Sequence, residues 1–130
     1  MIGWDEVREL ALAMPEATEA VSRGLPHWRV RDRGFVWERP LRPADLTHLG
    51  LEDQPWPVLG ARVDDEAVKF ALVEEDADVF LTTPHFDGFP AILVRLDTIS
   101  RRRLEEVVAD AWLAVAPKRL ADEWYSRHGD

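Results

Sequence analysis

Ser100-Arg101-Arg102-Arg103-Leu104-Glu105-Glu106-Val107-Val108-Ala109-Asp110-Ala111-Trp112-Leu113-Ala114-Val115 decides the fold. Leu104, Val107, Val108, Ala111, Trp112 and Val115 recur at helical spacing and form an unbroken apolar stripe on one side. Ser100 stands where an N-cap belongs, and Pro117 opens a shorter terminal helix carrying Leu120 and Trp124. So one-sided a helix must lie on something apolar. The rest of the chain offers a sheet.

His27-Trp28-Arg29-Val30-Arg31 alternates, with Trp28 and Val30 on one face, and Phe35-Val36-Trp37-Glu38 is rich in strand formers. Asp32-Arg33-Gly34 between them supplies hairpin chemistry, with Gly34 free to take a positive φ. Val58–Val63, Val79–Thr82 and Ala91–Leu96 read as three more strands. Trp4, Val7, Ala11 and Met14 mark a first helix stopped by Pro15. A turn-rich stretch follows to Pro26. Residues 40–57 form a long proline-rich connection with one helical turn near Asp45–Leu49. Asp64 or Asp65 caps a short helix running to about Val73. The order is α-βββ-α-ββ-α with a short C-terminal helix. It predicts a two-layer α+β sandwich around a five-stranded antiparallel sheet, in one domain spanning residues 1–130.

Composition bounds the function. The hydrophobic fraction of 46% with six tryptophans supplies a core, and the charged fraction of 32% supplies a solvated surface. There are no cysteines, which excludes disulfides, thiolate metal sites and cysteine nucleophiles and fits a reducing compartment. The first residues lack the basic and apolar regions of a secretory signal, and no apolar run approaches the ~20 residues that span a bilayer. The expectation is a cytoplasmic protein with no membrane partner; composition sets no oligomeric state. Net charge is −9, a field that repels nucleic acid unless one face concentrates the positive charge.

One segment does so. Residues 23–42 hold six arginines against Asp32 and Glu38. Arg29 and Arg31 are expected opposite Trp28 and Val30, with Arg33 at the hairpin tip and Arg23 and Arg39 flanking. Guanidinium forks match phosphate oxygens, so such a ribbon can dock along duplex DNA as a wing. The plainer reading is a solvated face whose arginines pair with nearby acids. A second segment is Thr82-Thr83-Pro84-His85-Phe86-Asp87-Gly88-Phe89-Pro90. His85 and Asp87 are candidates for a proton-transfer pair or metal ligands, with Thr82 and Thr83 beside them. Its plainer reading is a loop in which Asp87 accepts backbone N–H bonds, Gly88 takes a positive φ and His85 is partly exposed without a metal. Arg101-Arg102-Arg103 opens the last helix, where the dipole disfavours cations, and reads as tolerated. Phosphate-binding glycine loops and common catalytic signatures are absent. The reading is therefore a non-enzymatic binding module without cofactor or metal.

The run Thr82–Leu96, with Asp110-Ala111-Trp112-Leu113 and Ala116-Pro117-Lys118-Arg119-Leu120 beyond it, resembles the MmcQ/YjbR family of small bacterial proteins, in the variant common in actinobacteria. Met14-Pro15-Glu16, Glu38-Arg39-Pro40-Leu41 and Lys69 extend the resemblance over nearly the whole chain. It implies a fold similar to the type III secretion chaperones, with a five-stranded antiparallel sheet and a double-wing arrangement of hairpins. It also implies the DNA-binding label that the family name often carries. No individual site residue comes with it. The likeness to secretion chaperones makes a protein partner the alternative to DNA, and a ligand or enzymatic site around His85 and Asp87 the third reading.

Overall fold

In the computed structural model, residues 2–128 are described. Chain order is α1 (Trp4–Leu12), β1 (Ala17–Ser22), β2 (Leu25–Val30), β3 (Arg33–Glu38), α2 (Pro43–Leu49), β4 (Val58–Arg62) and α3 (Glu66–Glu75). Then come β5 (Phe80–Leu81), a 3₁₀ turn at Pro84–Phe86, β6 (Ala91–Arg95), α4 (Arg101–Val115) and α5 (Lys118–His128). The α+β class holds, and every strand pair is antiparallel. The sheet has six strands in the order β1-β2-β3-β4-β6-β5, one more than the sequence predicts.

The extra strand is β1, within the stretch that reads as turns. Ala17-Thr18-Glu19-Ala20-Val21-Ser22 has weak alternation, and pairing makes it a strand, from Ala17 opposite Val30 to Ser22 opposite Leu25. The Arg23-Gly24 turn between them has positive φ at both residues, 54° and 78°. That twist suits a two-residue hairpin. The next turn is also displaced from its expected place. Arg31 and Asp32 take the positive φ values, 50° and 67°, rather than Gly34. Arg31 is thus a turn residue and Arg33 opens β3, so the two do not share a strand face with Arg29.

Alternation along the strands creates two unequal faces. Trp28, Val36, Leu59, Ala61, Ile92 and Val94 pack with Val7 and Ala11 of α1 and with the α4 stripe. All six predicted stripe residues of α4 are buried. Ser100 caps that helix by accepting the Arg103 N–H at 3.1 Å, and Asp65 caps α3 by accepting the Val68 N–H at 3.0 Å. Two of the three arginines are absorbed structurally: Arg101 reaches Glu9 of α1 at 2.6 Å, and Arg103 lies over the Phe80 ring. The reverse face carries a smaller cluster, where Val58, Ala91 and Leu93 meet Leu41, Phe86 and Leu46. The helix α2 and the 84–86 turn cover only part of that face. What they leave open is a groove.

Candidate functional site

The groove lies on the reverse face and measures about 890 Å³, within the roughly 300–1,000 Å³ of small-ligand sites. The β1–β2 turn brings Arg23, and β2 brings Leu25 and His27. Trp37 on β3 and Arg62 on β4 stand further across the sheet. The segment Arg39–Pro43 makes one wall, and His85, Phe86 and Phe89 close an end.

Two segments far apart in sequence therefore meet at one place. Of the predicted hairpin arginines, Arg23 and Arg39 line the groove, whereas Arg29, Arg31 and Arg33 do not. Arg31 forms a two-pronged ion pair with Glu16, at 2.6 and 3.2 Å. Arg33 donates to the Val115 carbonyl at 3.2 Å and so caps the negative end of α4. Arg29 donates from Nε to His27 Nε2 at 2.6 Å. These contacts tie down the wing as the sequence placed it.

Arg39 is 5% exposed. Its Nη2 meets Asp45 Oδ2 at 3.0 Å, its Nη1 donates to the Pro40 carbonyl, and its guanidinium lies 5.1 Å from the Phe86 ring centroid. Burial pulls its pKa down from the ordinary arginine value, and Asp45 works against that. Burial would by itself raise the Asp45 carboxyl. The Arg42 N–H, at 2.9 Å, and the Arg39 guanidinium outweigh it and hold the carboxyl below its usual range. This pair is a structural clamp between the end of β3 and α2. Arg62 differs: it donates to the Pro90 carbonyl at 3.1 Å and lies 5.0 Å from the Phe89 ring centroid. Burial and then the Arg33 charge lower its pKa. Among the described residues no carboxylate pairs with Arg23, Arg42 or Arg62. Among the described residues, Glu38 is the one acidic side chain lining the groove.

The His85 loop is held by backbone bonds, Phe86 N–H to Thr83 O at 2.9 Å and Asp87 N–H to Pro84 O at 3.1 Å among them. Gly88 takes φ 77°, as the loop reading expects. The Asp87 carboxylate, expected to accept backbone N–H bonds, makes no hydrogen bond among the described residues; backbone carbonyls do that work. Asp87 is exposed, Thr82 half-buried and Thr83 buried, and none of the three lines the groove. His85 is exposed at the rim, its ring edge-on to Phe86 at 4.9 Å. Among the described residues no three His, Asp or Glu side chains cluster as metal ligands would.

Lys69 secures this loop from below. It is 1% exposed, and its ammonium donates to Phe86 O at 2.8 Å and Phe89 O at 2.9 Å and meets Glu66 at 2.9 Å. Two of its three donors are used in these hydrogen bonds, and Glu66 supplies a nearby opposite charge. Sequence reasoning about sites missed Lys69, Arg62, Arg42 and Trp37. The signal for Lys69 was there, a lone cation in the apolar run Val68–Val73. Arg42 belongs to the arginine-rich 23–42 segment, but nothing local marks Arg62 and Trp37 as its neighbours, and only the fold brings the three to one groove.

Trp37 and Gly60 are cross-strand partners, and the indole lies against Gly60. A Cβ at Gly60 would stand 2.5 Å from the indole nitrogen. Gly60→Ala is therefore expected to displace Trp37 from the groove floor and cost about 1–3 kcal/mol, the range for overpacking. In a Trp37→Leu background the same change should cost less, and equal costs in urea denaturation would disprove the contact.

His27 makes a pH prediction. Arginine Nε can only donate, so His27 Nε2 is the acceptor and the ring is neutral. Burial, then the Arg29 charge, lower its pKa below the ordinary histidine value. The unfolded chain, with a histidine pKa of about 6.5, takes up a proton that the folded chain resists. This stability is whole above that pH and is lost as pH falls below it. His27→Gln should shrink the acid-side drop in denaturation midpoint, and an unchanged drop would contradict the assignment.

An antiparallel sheet backed by α1 and α4, with an arginine-lined groove on its other face, defines a small two-layer α+β protein. The chain belongs to the YjbR family, whose sequence profile matches residues 12–114. It is similar to "Uncharacterized protein Mb2600" of Mycobacterium bovis, 44% identical over 99% of this chain and 100% of that one. "Uncharacterized protein Rv2570" of Mycobacterium tuberculosis is similar to the same degree, 44% over the same shares. Among solved structures, Deinococcus radiodurans protein DR2400, described by the domain DUF419, superposes with a TM-score of 0.68. The match covers 98% of this chain and 88% of that one at 19% identity, a likeness of fold. No helix among the described residues is long and apolar enough to cross a membrane.

Proposed function

We propose that this chain is a non-enzymatic binding module for an anionic ligand, held in the arginine groove. The observation that carries the reading is the convergence of Arg23, Arg42 and Arg62 on one concavity without a carboxylate partner. Unpaired guanidinium groups beside apolar walls have strong field and unused donors, and an oxyanion satisfies both. Duplex DNA remains within this reading as a phosphate-bearing ligand. Its grip passes from the hairpin arginines, which are engaged elsewhere, to the groove arginines. Such contact has to overcome a net charge of −9, so binding should weaken steeply with salt.

Titration calorimetry with inorganic tripolyphosphate, and anisotropy with labelled duplex DNA, test this at about 50 and 200 mM salt. At least one probe is expected to bind, more weakly at higher salt. Replacing Arg23, Arg42 and Arg62 together with Ala should weaken it about tenfold or more, roughly a charge-assisted hydrogen bond's worth. If neither probe binds at low salt, or the triple variant binds as well as the native chain, the reading fails.

A further inference from the structure

We infer that the anion this groove accepts is the phosphate of a nucleotide, its base stacked on the aromatic side of the same cavity. This rests on the anion-binding reading and adds the rest of the ligand. Charge alone does not describe the site. Trp37 and Phe89 line it together with Leu25, and Phe89 is 44% exposed. It is a large aromatic left half open, on a loop fixed by a buried lysine, in the same groove as Trp37 and Leu25. Phe89 already carries the Arg62 guanidinium against its ring, so one cationic and one planar surface adjoin. The Trp37 indole sits against Gly60, in space that a Cβ there would occupy.

A purely inorganic anion would leave these rings in water. A purely apolar ligand would leave Arg23, Arg42 and Arg62 without a counter-charge. A planar base joined to a phosphate through a sugar meets both demands. The groove's size, about 890 Å³, is ample for one nucleotide. Stacking tolerates any base, since each has a π-face. Arg23 on the β1–β2 turn and Arg42 before α2 are both exposed, free to follow the phosphate as it enters. The source of that nucleotide is either a free nucleoside phosphate or one unit of a single-stranded nucleic acid, which share this chemistry.

Calorimetric titration of the full chain compares AMP with inorganic phosphate, with adenosine, and with a short single-stranded oligonucleotide. AMP is expected to bind about tenfold more tightly than inorganic phosphate, the order that one base stack contributes. It should also bind about tenfold more tightly than adenosine, the order of a charge-assisted hydrogen bond to the phosphate. Phe89→Ala, a change at an exposed side chain, should weaken AMP several-fold more than it weakens tripolyphosphate, which loses only the support the ring gives Arg62. An oligonucleotide tighter than AMP would identify the strand as the source, and the reverse order the free nucleotide. AMP binding no tighter than phosphate, or unaffected by Phe89→Ala, overturns the nucleotide inference while the anion reading stands. Failure of tripolyphosphate, duplex DNA and AMP together removes both.

Discussion

Trp112→Ala is expected to lower the unfolding free energy by about 3–5 kcal/mol, the range for deleting a large buried aromatic. Trp112 has no exposed surface and sits in the main cluster with the rest of the α4 stripe. It also does what its polar handle allows, donating its indole N–H to the Pro15 carbonyl at 3.0 Å. The substitution opens a cavity between α4 and the sheet and leaves that carbonyl without its donor. Trp112→Phe separates these effects, since it retains most of the ring volume and loses only the bond and part of the packing. Its loss should therefore be smaller. Urea denaturation with linear extrapolation measures both. A loss under about 1 kcal/mol for the alanine variant would show that this face of α4 is not core.

Lys69→Met should cost about 2–4 kcal/mol, through a different mechanism. A hydrogen bond from a charged donor contributes about 1.5–3 kcal/mol, and Lys69 makes two to loop carbonyls. Each carbonyl retains a backbone donor, Phe89 N–H on Phe86 and Ala91 N–H on Phe89, so neither is orphaned. Methionine's buried chain returns part of the loss. The consequence specific to this site is local: with the ammonium gone, the 84–89 loop loses its anchor under the groove. Amide exchange at Phe86 and Phe89 should accelerate by more than global stability explains. Unchanged exchange at those amides, or a loss below about 1 kcal/mol, would show that backbone bonds alone fix the loop.

The α4 stripe, the caps at Ser100 and Asp65, and the alternation of Trp28 and Val30 are written in local pattern, and the structure follows them. Local pattern fails where pairing decides. Ala17–Ser22 has little of a strand's composition, yet β2 recruits it because the Arg23-Gly24 turn folds back tightly. Arginine is an unusual residue for positive φ, so the turn escaped notice. The same holds one hairpin later, where Gly34 drew attention and Arg31-Asp32 made the turn. A shift of this kind moves side chains between faces. It took Arg31 and Arg33 away from the expected wing and left Arg31 beside Glu16.

The site was legible as two halves and not as one. Arg23 and Arg39 were marked by local charge and His85 by its loop, and the distance between them in sequence gave no reason to join them. Sheet order β3-β4-β6 joins them, by setting the strand before Arg39 and the strand after the His85 loop on either side of β4. Periodicity reports which side of an element is apolar, because burial acts on each residue through its own helix or strand. By itself the sequence determined an α+β protein with a helix laid on an antiparallel sheet. Only the tertiary structure decided which arginines are neutralised and which face the groove unpaired, because an ion pair depends on distance in space and not on distance along the chain.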